Sequence, residues 1–478
     1  MFNSIHEECG VFSIFENKTT NVSNKVYLGL YALQHRGQEA CGITVCDNGV
    51  FKSHKGIGLV GDVFDHNSFE ELGLGNMAVG HVRYSTTGGN NMNNIQPLVI
   101  RHMKGNLAIA HNGNLTNAGE LRNIFELSGA IFHGTSDTED IAYSIVSERI
   151  NSPSIEEAIK RAMHKIKGAY SCIAMSPTKM IAFRDPNGFR PLALGITDSG
   201  GYIVASESCA IDSVGATFIR DIKPGEILTI SSDGLKSDYI KKAESSLCVF
   251  EYIYFARCDS VIEGASVHSA RLKAGRLLAR KSKVDADIVI GVPDSGIDAA
   301  IGYSMESKIP YGIGFVKNKY IGRSFIKPTQ EERESAVKIK LNVIKETIKD
   351  KRVILIDDSI VRGTTSERII RLLKDSGAKE VHLKISSPPF KHPCYFGTDI
   401  DSEENLIACK YDTNEEIAKE IGADSLDYLS IEDAHNLVDN PKCGFCDGCF
   451  SGKYPVEIEN TQKKDKFEQK IITKKVAH

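Results

Sequence analysis

Hydrophobic and polar positions alternate in short runs through the first half of the chain, and the pattern changes to strand–loop–helix units in the second. Asn106-Leu107-Ala108-Ile109-Ala110, Tyr170-Ser171-Cys172-Ile173-Ala174-Met175 and Tyr202-Ile203-Val204-Ala205-Ser206 read as strands separated by Gly- and Asn-rich turns. Helical spacing runs from Asp137 to Asn151 and from Ile155 to Lys167. This mixture, from Cys9 to about Leu235, predicts a layered α+β architecture. From about Ser266 the runs lengthen. Ala286–Gly291 precedes a turn and a helix, Arg352–Ile356 precedes a Gly/Thr loop and a helix over Ser366–Asp375, and Glu380–Ile385 follows. Such alternation predicts a parallel sheet covered by helices. The polar stretch 236–247 marks the boundary, so the expected division is residues 9–240 and 241–455. Residues 456–478 form a polar, lysine-rich tail. There is no internal repeat.

A chain of 478 residues with 41% hydrophobic content has room for two or three domains with sizeable cores. Its 58 basic and 62 acidic residues nearly cancel, which gives no electrostatic reason to expect nucleic acid or an anionic membrane as a partner. No apolar run approaches the ~20 residues that span a bilayer, and residues 1–8 lack the features of a signal peptide. A cytoplasmic location is expected. Twelve cysteines in such a chain point to catalysis or metal rather than to a disulfide framework.

Cys9 carries the first chemical signal. If residues 1–8 are a propeptide, its removal makes Cys9 the first residue, with nucleophile and base in one amino acid. An α-amine titrates near ~7.7–8.0, against ~10.4 for lysine, so part of it is neutral at pH 7 and accepts the thiol proton. Three segments downstream supply what a hydrolase acting on glutamine needs: 80–88, Ala110–Asn117 and Gly134–Glu139. Arg83 and Asp137 can pair with an α-carboxylate and an α-ammonium. An Asn-Gly turn at Asn112 and Gly113 offers a side-chain amide and a backbone amide to a tetrahedral oxyanion. Taken singly, Asn-Gly is a common turn and Arg83 or Asp137 an ordinary surface ion pair. Together and in this order they resemble the N-terminal-nucleophile (class II) glutamine amidotransferase family. Leu33-Gln34-His35-Arg36-Gly37 also conforms, and the resemblance adds Arg36 to the expected glutamine site.

The second signal is Val353-Ile354-Leu355-Ile356-Asp357-Asp358-Ser359-Ile360-Val361-Arg362-Gly363-Thr364-Thr365. A buried strand delivers two carboxylates to its carboxyl end, where ligands sit in an open parallel sheet. The following turn, Ser359 to Thr365, exposes N–H groups and hydroxyls at a helix N-terminus, which is an anion site. Paired acids beside it suit a ribose 5-phosphate, with its hydroxyls or Mg²⁺ held by Asp357 and Asp358. The glycine-lysine ending of a Walker A loop is absent. These residues look like the signature of the type I phosphoribosyltransferases. That resemblance implies a pyrophosphate loop at Gly291–Gly296, with Ser295 helping to bind Mg²⁺, and a mobile basic loop from Val316 through Phe325 to Lys338–Asn342.

From Cys9 to Pro455 the chain resembles the glutamine phosphoribosylpyrophosphate amidotransferase family. The resemblance implies a four-layer αββα glutaminase domain followed by a phosphoribosyltransferase α/β domain. Glutamine and 5-phosphoribosyl 1-pyrophosphate are then the substrates, with a homotetramer inhibited by purine nucleotides. Cys443-Gly444-Phe445-Cys446-Asp447-Gly448-Cys449 has thiolate spacing suited to zinc or an iron–sulfur cluster. One branch of the family carries a short propeptide and a [4Fe-4S] cluster, whose ligand positions match Cys248, Cys394, Cys446 and Cys449. Cys443 is then a spare. Cys258 stands where the family has proline and places another thiol near Cys248. Cys41, Cys46, Cys172, Cys209 and Cys409 read as core residues. A catalytically silent purine sensor has no chemical need for Cys9, Arg83, Asp137, Ser295, Asp357 and Asp358 together. A glutaminase joined to a sugar isomerase or an asparagine-forming domain does not fit the Asp-Asp-Ser loop.

Overall fold

A computed structural model describes residues 9–84, 91–240, 245–318, 341–400 and 402–458. Residues 1–8, expected to be a propeptide, the Ser85–Gly88 part of the first motif, most of the basic loop and the tail beyond 458 lie outside the described residues. The chain folds as two compact units, with the division between Leu247 and Cys248. Tyr395–Thr398 and the described residues from Pro455 depart from a simple division, because they group with the N-terminal unit.

In the N-terminal unit, two antiparallel sheets face each other. The seven-stranded sheet is built around Gly10–Thr20, which pairs with Gly75–Arg83 and Tyr202–Ala205; the six-stranded sheet has Gly105–Leu115 beside Gly168–Met175. Their facing side chains, among them Val11, Val79, Ala110, Ile173 and Leu228, form a buried core that keeps water out of the space between the sheets. Val22–Ala32 covers the outer face of the first sheet through Val26 and Leu30, and Asp137–Asn151 and Ile155–Ala162 cover the second through Ile141, Ile145 and Ile159. The layers are therefore α, β, β, α, as expected.

The helix Asp137–Asn151 has the bounds that its spacing predicts. Ser136 caps it by accepting from the Thr138 N–H, and Asp137, Glu139 and Asp140 place negative charge at the positive end of the dipole. One expectation is overturned. Asn112 and Gly113 do not form a turn; they lie inside the strand Gly105–Leu115, opposite Ser171 and Tyr170. Eight consecutive ladder pairs with Gly168–Met175 outweigh the local turn preference. Gly113 meets the ladder with φ +142, and a Cβ there would lie 2.2 Å from the Ala169 carbonyl oxygen, so only glycine fits.

The second unit holds a four-stranded sheet in the order Ile288–Gly291, Arg352–Asp357, Glu380–Ile385, Ser425–Tyr428, with all pairings parallel. Val353, Leu355, Val381 and Leu383 are buried under Thr364–Asp375 and Asn414–Ile421. Phe315–Lys317 pairs with Leu341–Val343, so the two described ends of the basic loop are held together. No helix among the described residues is long and apolar enough to cross a membrane.

Candidate active sites

Strand pairing assembles the first site. Gly10 lies opposite Val82 and Val11 opposite His81, which brings Cys9 and Arg83 to the same end of the seven-stranded sheet. The His81 Nε2–H reaches across to the His111 carbonyl at 3.0 Å, stitching this sheet to the six-stranded one beside Asn112. Arg83, two residues on, projects from the same strand face as His81 and is buried. The Cys9 Sγ donates to the Tyr84 carbonyl at 3.5 Å, and the Cys9 carbonyl accepts from Arg36 Nε at 3.3 Å.

Arg36 is fully buried, with Nη1 donating to Glu207 Oε1 at 2.7 Å. His35 meets the same carboxylate oxygen, at 2.7 Å. The Arg36 guanidinium thus holds the Cys9 backbone as well as Glu207, contacts that the Gln-His-Arg-Gly pattern does not reveal. Asp137 is buried, and its Oδ2 accepts the Leu115 N–H at 2.9 Å while Oδ1 lies 3.5 Å from His111 Nδ1. Burial alone would raise this carboxyl, but His111, the Leu115 N–H and Arg122 together hold it below the usual carboxylate range. Asp137 is a preformed anion in a dry wall, suited to an ammonium. Asp140, one turn on, has burial pushing it up to about 7 despite Arg122.

Asn112 is the most telling group. Its Oδ1 and Nδ2 are both buried, and neither has a hydrogen-bond partner. Each such orphan costs roughly 1–3 kcal/mol, a penalty a fold retains where a ligand supplies the missing partner.

His81 was not expected as part of the site. Burial pushes its imidazole down to about 3, so it stays neutral with the proton on the nitrogen that faces the His111 carbonyl. The unfolded chain protonates this group near ~6.5, so folding is penalised increasingly as pH falls below that value. The penalty is absent above pH 6.5 and reaches about 2 kcal/mol at pH 5. Comparing urea midpoints of the wild type and His81→Gln at pH 7 and pH 5 isolates the term from the opposing contribution of Asp140. The wild type should lose more stability between the two; equal losses would refute it.

The second site stands where the strand Arg352–Asp357 ends. Asp357 and Asp358 are both buried, and Asp358 accepts from Ser295 Oγ and Ser359 Oγ at 2.5 Å each. Burial and the neighbouring Asp358 raise the Asp357 carboxyl well above its ordinary value. Two adjacent carboxylates in a dry site call for a proton or a cation between them, and with Ser295 they make an all-oxygen donor set suited to Mg²⁺. Gly363 caps the helix Thr364–Asp375 at φ +87, with its Cα packed so close to Ile407 that a Cβ would lie 2.5 Å from Cδ1. The Thr365 Oγ1 in the first turn is buried without a partner, while Arg362 and Thr364 are exposed at the same turn. A helix N-terminus bearing an unspent hydroxyl is suited to phosphate. Lys317 forms an ion pair with Asp294 in the Gly291–Gly296 segment.

None of the twelve cysteines is in a disulfide. Burial pushes the Cys449 thiol well up, and Cys394, Cys248 and Cys446 add like-charge repulsion in that order. The four expected cluster cysteines therefore share one neighbourhood. Hydrogen bonds from the Val249 N–H to the Cys446 carbonyl at 3.2 Å and from the Lys391 and His392 N–H groups to the Cys449 carbonyl bring their backbones together. Phe250, Phe390 and Phe450 pack beside them, with centroids 4.7–6.4 Å apart. Among the described residues no three His, Cys, Asp or Glu side chains are disposed to hold a metal ion. Two cysteine expectations change. Cys409 is exposed, because Ile407 takes the inward position of its short helix. Cys258 is also exposed, and the charges that act on it are Asp298, Arg271, Asp259 and Arg257 rather than the cluster thiols.

The comparisons with known proteins divide the chain in the same way. A glutamine amidotransferase domain model matches residues 81–213, and a phosphoribosyl transferase domain model matches residues 267–394. The amidophosphoribosyltransferase of Bacillus subtilis is 46% identical over 476 residues, covering 98% of both chains. That of Archaeoglobus fulgidus is 47% identical over 453 residues, covering 94% of this chain and 98% of the relative. A solved structure of the B. subtilis glutamine phosphoribosylpyrophosphate amidotransferase complexed with ADP and GMP superposes with a TM-score of 0.88 at 46% identity, over 95% of this chain and 99% of that one. With both domain models and nearly the full length of each relative accounted for, the chain belongs to the amidophosphoribosyltransferase family, whose enzymes carry out the first step of purine biosynthesis.

Proposed function

We propose that Cys9 hydrolyses glutamine to glutamate and ammonia, and that this ammonia displaces pyrophosphate from 5-phosphoribosyl 1-pyrophosphate at the Asp357–Thr365 site to give 5-phosphoribosylamine. The observation that carries the reading is the buried, unpartnered Asn112 amide on the strand face stitched to Cys9's sheet. There it donates to the oxyanion as the thiolate adds to the glutamine amide, together with the Gly113 N–H. Arg83 and Asp137 hold the α-carboxylate and α-ammonium, and Arg36 serves the pocket through the Cys9 carbonyl. A free α-amine on Cys9 requires removal of residues 1–8.

In the transferase site, Ser295, Asp357 and Asp358 would hold Mg²⁺, which would supply positive charge against the departing pyrophosphate. Ser359, Arg362, Gly363, Thr364 and Thr365 hold the 5-phosphate. Purine nucleotides are the expected inhibitors, given the ADP and GMP in the B. subtilis complex, and a homotetramer the expected assembly. Twelve cysteines with no disulfide among them suit a cytoplasmic location.

Cys248, Cys394, Cys446 and Cys449 fit a [4Fe-4S] cluster: four thiols share one electrostatic neighbourhood beside an aromatic wall. When bound, the cluster would supply iron–thiolate bonds that tie three separate chain segments together, and binding energy realised only in the folded state stabilises that state. Anaerobically purified protein should carry about four iron and four sulfide per chain and release pyrophosphate with glutamine. Air should then bleach the visible absorbance and abolish activity in parallel, with increased proteolysis of the C-terminal segment. A colourless zinc protein with full, air-stable activity would refute the cluster, and no pyrophosphate release in any state would refute the function.

A further inference from the structure

The segment Tyr395–Thr398 lies in sequence just after Cys394, yet it packs as part of the N-terminal unit, against the residues that follow Asn112. Its hydrogen bonds are specific. Asn114 Nδ2 donates to the Tyr395 carbonyl at 3.0 Å. Arg190, fully buried, donates from Nε and Nη2 to the Phe396 carbonyl at 3.2 and 2.8 Å, and from Nη2 to Thr398 Oγ1 at 3.4 Å. The Phe396 ring stacks on Phe189 with centroids 4.1 Å apart and planes 16° apart.

Gly397 is the point of closest approach. Its φ is +113, and a Cβ built on it would lie 3.3 Å from the Gly113 carbonyl carbon and 3.5 Å from the Gly113 Cα. Gly113 is also confined by the neighbouring strand, where its own Cβ would meet Ala169 O at 2.2 Å.

We propose that Tyr395–Thr398 is a positioning strap for glutamine hydrolysis: clamped by Arg190 and Phe189, it holds the Asn112–Gly113 step at the place where the oxyanion forms. The inference rests on the assignment of Asn112 and Gly113 to that oxyanion. Hydrogen bonds from a charged guanidinium are stronger and more directional than neutral ones, so Arg190 fixes the strap's carbonyl rather than merely filling space. A donor aimed at an oxyanion works only when its position is set before charge develops. The hydrogen bonds and ring contact of the strap run to Asn114, Arg190 and Phe189, none of them a residue proposed for the α-groups of glutamine. The strap's effect should therefore appear in turnover rather than in substrate affinity.

Gly397→Ala adds a methyl group against Gly113. It should lower kcat for glutamine by about 10- to 100-fold, with KM within about twofold. Alkylation of Cys9 by iodoacetamide, followed by peptide mass spectrometry, should proceed at the wild-type rate, because that displacement develops no oxyanion. Pyrophosphate release with ammonia should be unchanged. Wild-type kcat, or a parallel fall in alkylation and ammonia-dependent activity, would overturn the proposal. If Gly397→Ala fails to fold, Phe396→Leu decides, with a smaller loss of the same kind expected and no loss overturning it. Wild-type kcat for glutamine in Asn112→Ala would overturn the underlying assignment instead, so the two failures are distinguishable.

Discussion

Cys9→Ser should lose glutamine-dependent product formation by about 10³-fold or more while ammonia-dependent formation stays near the wild-type level. The hydroxyl keeps the shape of the thiol, the Tyr84 contact and the Arg36 support of the backbone. It removes the acidity. An α-amine titrating near ~8 leaves an appreciable thiolate from a thiol at ~8.5 but almost no alkoxide from an alcohol several units higher, so nucleophilicity collapses without a change in fold. Ammonia supplied in solution needs no nucleophile at this site. The intact mass of active wild-type protein belongs to the same test, since it should begin at Cys9. A variant that loses both activities, or an active wild type retaining residues 1–8, would end the terminal-amine mechanism.

Asp357→Ala and Asp358→Ala should each lower pyrophosphate release by about 10²-fold or more with either nitrogen source, and the double variant should be inactive. The carboxylates sit in a buried pair that Ser295 and Ser359 hydrogen-bond from two different segments. Removing one leaves a divalent ion without half of its anionic donors. It also relieves the repulsion that raises Asp357, so loss of folding is not expected. Two controls make the result specific: an unchanged thermal midpoint and retained glutaminase turnover. A double variant releasing pyrophosphate at the wild-type rate would remove these residues from the site.

Much of the candidate chemistry was legible because it depends on residue type at short spacing. A strand running into Asp357-Asp358 and a small-residue turn before a helix is a local arrangement, and the structure reproduces it with Gly363 at positive φ and Thr365 in the first turn. The helix from Asp137 was legible for the same reason, its cap and acidic first turn being neighbours in sequence. Asn112-Gly113 reads as a turn in the sequence and lies in a strand in the structure. Its local preference is a turn, and a ladder with residues some fifty-eight positions away, Asn112 opposite Ser171 and Gly113 opposite Tyr170, imposes a strand instead.

The sequence by itself determined the two-part organisation, the alternation that makes the N-terminal layers and the parallel sheet, and the residue types able to do the chemistry. Each of these is encoded within a dozen neighbouring residues by periodicity, capping and side-chain functional groups. Only the tertiary structure decided what each group's partners are. It turned Arg36 toward Glu207 and the Cys9 carbonyl, set His111 beside Asp137, kept His81 neutral between the sheets, exposed Cys409 and laid Tyr395–Thr398 against Gly113. These pairings join residues up to 284 positions apart, as Gly113 and Gly397 are. They are selected by burial, because a charge or amide taken out of water must find a specific partner and its identity depends on which distant segments the packed core brings alongside.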